Sequence, residues 1–248
     1  MRRCCSIRVV IDTAAVADHI DRQLKELGTP ERAQNEKAYL KSELEHHGAS
    51  VWEIRRVVKA LTAQPPGISG RDLITIVTLL WSKPVHERRM AAVILLDLRS
   101  AVLGPDDLPL VERLIRESHT WAYVDGLAGD VAGSIMVRHP HSMEVLDRWA
   151  TDADFWIRRS ALLAMIEPLK HGTAFDRFAS YADSLLEEKE FFIRKAIGWV
   201  LREVGKERSD EVYGWLLPRA GRASGVTVRE AVKYLERGQR DAILRARA

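Results

Sequence analysis

Ile157-Arg158-Arg159-Ser160-Ala161-Leu162 and Ile193-Arg194-Lys195-Ala196-Ile197 lie 36 residues apart and carry one pattern: an aliphatic residue, two cations, then small and apolar residues at helical spacing. The pattern recurs upstream at Val51–Val58, Glu87–Ala92 and Tyr123–Ala128, and downstream at Val228–Val232. With Arg55, Arg89, Asp125, Arg159, Lys195 and Glu230 as markers, the spacings are 34, 36, 34, 36 and 35 residues. A period near 35 built from helix pairs is that of an α-solenoid. Each pair is too small to bury its own apolar face and must stack on its neighbours. The Trp, Gly and Tyr offsets of tetratricopeptide repeats are absent, so a HEAT-like repeat is expected.

The rest of the chain agrees with an all-α fold. Amphipathic segments at period 3.6 run over Ala14–Leu27, Glu31–His46, Val51–Ala63, Arg71–Trp81, Glu87–Leu98, Asp106–Arg116, Trp121–Val137, Ser142–Ala150, Phe155–Leu169, Phe175–Leu186, Phe191–Val204, Asp210–Leu217 and Val228–Leu235. Thr29-Pro30 reads as an N-cap with proline in the first turn. Ser50-x-x-Glu53 and Thr227-x-x-Glu230 read as capping boxes. Pro65-Pro66-Gly67, Gly104-Pro105 and His139-Pro140 read as breakers. The expectation is a right-handed α-solenoid of about six repeats with a concave groove, one domain over 13–248, and an extension over 1–12.

Composition excludes several classes. Among 248 residues, 46% are hydrophobic and only 15 are Gly and 9 Pro, unlike collagen-like or disordered chains. Two adjacent cysteines, Cys4 and Cys5, cannot staple a disulfide scaffold. The apolar run after Met1 is broken by Arg8 and closed by Asp12, too short for a secretory signal. No stretch nears a membrane span. A cytoplasmic monomer is expected. No His-Glu-x-x-His and no Gly-rich phosphate loop are present. His46-His47 and His139-Pro140-His141 show no companion ligands in the sequence, so neither metal nor cofactor is expected.

Charge and aromatics point to a function. Net charge is only +3, but residues 191–248 carry 13 Lys and Arg against 7 Asp and Glu, so the rest is slightly acidic. Four of the six markers are basic: Arg55, Arg89, Arg159 and Lys195. Stacked repeats would line them into a stripe suited to a phosphate backbone; solvated faces or Arg-to-carboxylate ties between repeats are the plainer reading. Asp125 breaks the stripe. A carboxylate there either pairs with a neighbouring Arg or stabilises developing positive charge. Trp is the commonest aromatic, with 7 residues. Trp121 precedes Asp125 by one helical turn and Trp199 follows Lys195 by one, placing both for stacking on a base or sugar. Trp52, Trp81, Trp149 and Trp215 are expected in the core; Trp156 fits either role.

At these residues the chain resembles the AlkD-type DNA alkylation repair enzymes, helical-repeat glycosylases acting on N-alkylated purines. The resemblance covers residues 14–237. It is most specific over Lys189–Glu203 with Arg229-Glu230-Ala231, then at Trp121-x-x-Val124-Asp125 before Arg138-His139-Pro140, and at Trp156–Arg159. Tyr39 and Arg55, flanking Gly48, match more weakly. The resemblance implies that Asp125 is the catalytic carboxylate and that Trp121 and Trp199 hold the lesion's sugar and backbone. It also places Arg159 at the adjacent phosphate and Tyr39 and Arg202 beside the cleft. Arg55, Arg89, Arg194 and Lys195 are the further cations expected to contact DNA. Thr120-Trp121-Ala122 stands where family members often show Trp-Trp-Asp, which bears on substrate range. The implied partner is duplex DNA containing alkylated purines. A non-catalytic binder of damaged or branched DNA and a scaffold holding an acidic peptide are the alternatives.

Overall fold

A computed structural model describes residues 11–62 and 68–247. The Cys4–Cys5 pair, most of the expected extension and the Pro65-Pro66-Gly67 breaker lie outside the described residues. Among the described residues there is no strand, only an isolated bridge between Glu45 and Val85. No helix among the described residues is long and apolar enough to cross a membrane. The chain divides into two compact units, the first ending at Val102 and the second beginning at Leu103.

The first unit holds α1 (Thr13–Leu27), α2 (Pro30–Leu40), α3 (Val51–Thr62), α4 (Gly70–Trp81) and α5 (His86–Leu98). Its helix starts follow local rules. Asp12 accepts the Ala14 and Ala15 amides, and Thr29 caps α2 ahead of Pro30. Ser50 and Glu53 form the expected capping box, with the Ser50 amide donating to Glu53 at 2.7 Å and the Glu53 amide to Ser50 Oγ at 3.2 Å. α5 packs against α1, α3 and α4, and Ile20, Leu24, Ile54, Leu73, Ile76, Leu80 and Leu95 fill the core between them. Buried Arg88 donates to the Leu79 and Leu80 carbonyls at the end of α4 and pairs with Asp21 at 3.2 Å. A cation at a helix C-terminus satisfies carbonyls that lack intrahelical partners. The helix expected over Glu31–His46 stops at Leu40. Lys41 takes a left-handed conformation (φ 50°), and the following loop bonds to the start of α5 through Glu45 and His86.

The second unit contains α6 (Leu108–Arg116), α7 (Trp121–Asp125), α8 (Gly133–Arg138), α9 (Glu144–Trp149), α10 (Phe155–Leu163), α11 (Ile166–Lys170), α12 (Phe175–Ser184), α13 (Phe191–Gly205), α14 (Ser209–Leu216), α15 (Gly225–Ala231) and α16 (Arg237–Arg247). α10 packs on α7 and α13, and α13 packs on α15, so the helices that carry the marker residues stack in succession. The approach of α13 to α15 requires Gly198: a Cβ there would stand 2.7 Å from both the Thr227 carbonyl oxygen and Glu230 Cβ.

Three elements differ from expectation. The helix expected over Phe155–Leu169 breaks between Leu163 and Ile166. Pro168 has no amide to donate to the Ala164 carbonyl and its ring crowds that position. The capping box at Thr227 is replaced by an earlier cap: Ser224 accepts the Thr227 amide at 3.1 Å, the Thr227 hydroxyl donates to the Arg194 carbonyl, and Glu230 turns to Arg202 and Lys233. α16 was not expected.

The ion pairs follow the repeat. Arg159–Asp125, Arg116–Asp152, Arg148–Glu112, Arg219–Asp183 and Arg222–Glu187 join residues 34–36 apart in sequence. The cations of one repeat are met by carboxylates of a neighbouring repeat, in four of these five pairs the preceding one, as the plainer sequence reading has it.

Candidate active site

Asp125 ends α7. Thr120 caps this helix, accepting the Ala122 amide at 3.4 Å, and Tyr123 and Val124 anchor it in the core. Trp121 begins the helix and is 36% exposed. Beyond Asp125 the helix widens into a π-helical stretch over Gly126–Ala132 before α8. Such wide turns are uncommon and often accompany functional positions. Gly133 lets the start of α8 lie close to the turn before α11: a Cβ there would stand 3.3 Å from the Ala164 carbonyl oxygen.

Arg159, on α10, grips Asp125 with both arms of its fork. Nε donates to Oδ1 at 2.9 Å and Nη2 to Oδ2 at 3.0 Å. Nη1 donates to the Phe192 carbonyl at 2.5 Å. Arg159 is 2% exposed and the Asp125 side chain 20%. The pair is therefore a dipole with its positive end in the core and its carboxylate toward the surface. Two lone-pair positions of about four on the carboxylate are taken by Arg159. Arg159 was expected at a phosphate; here its donors point inward and it positions Asp125. Phe192 stands beside the pair and belongs to an aromatic cluster, with Trp156 centred 4.6 Å from Phe155 and 4.8 Å from Phe192. The guanidinium lies 5.7 Å from the Phe192 ring centre. Trp156 is thus buried in this aromatic cluster, as its core reading has it.

The remaining candidates fall in both units. On α13, Lys195 is exposed and lies 5.9 Å from the Phe191 ring centre. Trp199 is half-buried one turn later. Arg194 donates through Nε to the Glu188 carbonyl at 2.7 Å, and Arg202 is 2.5 Å from Glu230. In the first unit, Arg55 pairs with Asp97 at 2.9 Å and Arg89 lies over the Trp81 ring. Tyr39, near the end of α2, is 74% exposed. The marker register is therefore not a row of solvent-facing cations: Arg159 is buried and Arg89 is half-buried.

Trp52 corrects a second expectation. Trp81, Trp149 and Trp215 are buried, but Trp52 is 79% exposed. Arg55, Arg56 and Lys59, also exposed, follow it at helical spacings of three, four and seven. They share its face of α3, and the sequence carried that signal.

A third site joins residues that sequence order separates. Glu36 of α2, His46 of the following loop and His86 of α5 bring ligand atoms within 4.8 Å of one another. Spacings of 10 and 40 residues match no metal motif, so His46 looked isolated in the sequence.

Stacked helical repeats that hold an acid–arginine pair beside aromatic residues define the class. The family model for the DNA alkylation repair enzyme matches residues 20–235, and the chain belongs to that family. A solved structure titled a predicted DNA alkylation repair enzyme from Enterococcus faecalis is 24% identical, with a TM-score of 0.74 over 85% of this chain and 97% of that one. AlkD2 from Streptococcus mutans is 18% identical, with a TM-score of 0.61 over 88% of this chain and 98% of that one. At these identities the likeness is one of fold. No curated protein matches the chain.

Proposed function

We propose that the protein is a DNA glycosylase that hydrolyses the N-glycosidic bond of N3- or N7-alkylated purines in duplex DNA, acting as a cytoplasmic monomer in base excision repair. The observation that carries this reading is the Asp125–Arg159 clasp, which fixes a surface-facing carboxylate one helical turn from exposed Trp121.

Alkylation at N3 or N7 gives the purine a formal positive charge. As the bond from C1′ to nitrogen breaks, its electron pair leaves with the base, which departs neutral, and positive charge moves to the sugar. The transition state needs an anion near C1′ more than an acid at the leaving group. Asp125 supplies that anion and orients the water whose oxygen bonds to C1′; the proton lost by the water passes to the carboxylate or to solvent. Arg159 keeps the carboxylate from turning away, and no reorganisation is needed as charge develops. Trp121 and Trp199 stack against the sugar and backbone. Lys195 and the exposed Trp52–Arg55–Arg56–Lys59 face of α3 supply sites for phosphate and base contacts.

The test is release of free base from duplexes carrying N7-methylguanine, N3-methyladenine or a bulky N7 adduct. One observation favours a non-catalytic binder: the guanidinium that fixes Asp125 also offsets its charge. Binding of the same duplexes without base release would establish that second reading.

A further inference from the structure

The loop after α2 is clamped against the start of α5. Glu87 is fully buried; its carboxylate accepts the His47 amide at 2.9 Å and the Gly48 amide at 2.6 Å. The Glu45 amide donates to the Pro84 carbonyl and the His86 amide to the Glu45 carbonyl, at 2.9 and 2.8 Å. Gly48, at φ 87°, lets the loop lie so close to α2 that a Cβ would stand 2.1 Å from the Thr29 carbonyl oxygen. This clamp holds the His46 ring over the His86 ring, with centres 4.5 Å apart and planes 6° from parallel.

Three of the polar atoms gathered there have no partner in the protein. Glu36 Oε2 and both ring nitrogens of His46 are buried without a hydrogen-bond partner. Buried polar atoms are rarely left so, and each case calls for an explanation. Two imidazoles and a carboxylate are the donor set of a zinc site with an open fourth position. We propose that Glu36, His46 and His86 bind one divalent transition-metal ion, zinc by the character of the ligands, which clips α2 and its following loop to the start of α5.

Ligands about 2.0–2.1 Å from a tetrahedral zinc stand about 3.3 Å apart, so the 4.8 Å cluster closes by roughly 1.5 Å at most. Parallel ring planes cannot both contain one ion. His46 therefore turns about its Cβ–Cγ bond on loading, and because neither of its nitrogens is hydrogen-bonded the turn sacrifices no such bond. Charge is balanced: a dication among neutral imidazoles, the Glu36 carboxylate and the buried Glu87 carboxylate is neutral overall. Arg32 and Lys37 are the nearby cations that oppose binding.

The experiment uses the tag-free full chain with Cys4→Ser and Cys5→Ser, so that thiols contribute nothing. After treatment with chelator it is titrated with Zn2+ by calorimetry, and with Co2+ while visible absorption is recorded. The expected result is one equivalent of Zn2+, an intense Co2+ d–d band typical of four-coordination, and a higher melting temperature with Zn2+. His46→Asn and Glu36→Gln, both at half-buried positions, should fold as the parent by circular dichroism and each weaken Zn2+ by about 100-fold or more. Absence of a stoichiometric Zn2+ site in the parent, or unchanged affinity in both variants, would overturn the proposal.

Discussion

Arg159 and Asp125 meet in a bidentate contact, 2.9 Å from Nε to Oδ1 and 3.0 Å from Nη2 to Oδ2, with the arginine buried and the carboxylate toward the surface. Lysine offers one charged point where arginine offers a fork. Arg159→Lys should therefore keep the charge, lose the orientation of Asp125 and lower stability by about 1–3 kcal/mol, less than outright removal of a buried partner. Urea denaturation measures the loss. Base release should fall further than DNA affinity does; equal losses in both would place Arg159 in binding alone.

Gly198 allows α13 and α15 to touch. A Cβ at 2.7 Å from the Thr227 carbonyl oxygen meets backbone that has nowhere to go. Gly198→Ala should cost about 2 kcal/mol or more through overpacking, although alanine is the better helix former. A thermal melt equal to that of the parent would contradict the close packing described.

Trp52 is exposed and has little packing to lose. Trp52→Ala should leave stability within about 0.5 kcal/mol and weaken DNA binding by about fivefold or more, the lower end of what stacking on one base contributes. Fluorescence anisotropy with a labelled duplex at fixed salt reads this. Unchanged affinity would remove the α3 face from the DNA-binding surface.

Glu112 is held by Arg148, Arg116 and the Trp149 indole, at 2.6–2.9 Å for the closest contact to each. The Arg148 hydrogen bonds above all, against desolvation, hold its carboxyl down to about 2 from an ordinary 4.5. A depressed acid contributes stability that is complete above its unfolded value and disappears as pH falls through its folded value. Stability should therefore decline from about pH 4.5 toward pH 2, and Glu112→Gln should flatten that decline. A parallel acid limb in the variant would show that the network does not act in this way.

The helices were legible because apolar residues recur at period 3.6 and the repeat recurs near 35. Local competition hid the rest. The π-helical stretch after Asp125 lies inside one continuous apolar pattern over Trp121–Val137, which reads as a single helix. Pro168 marked the break in its helix, but an unbroken apolar pattern masked it. Trp52 looked apolar by type, yet its neighbours Arg55, Arg56 and Lys59 signalled a solvent face. The basic stripe was legible as a register and not as a surface, since which carboxylate meets Arg159 is decided by how α10 stacks on α7. The near-balance of 38 Lys and Arg against 35 Asp and Glu agrees with the ties between repeats, in which many arginines meet carboxylates.

Asp125→Asn tests the central claim most directly, because it keeps the shape of the side chain and removes its charge. The measurement is single-turnover release of base from a duplex containing N7-methylguanine, with affinity for the same duplex recorded in parallel. The account predicts near-parental binding and a loss of about 100-fold or more in the release rate, the scale of removing one preorganised electrostatic group. Release at the parental rate would contradict it.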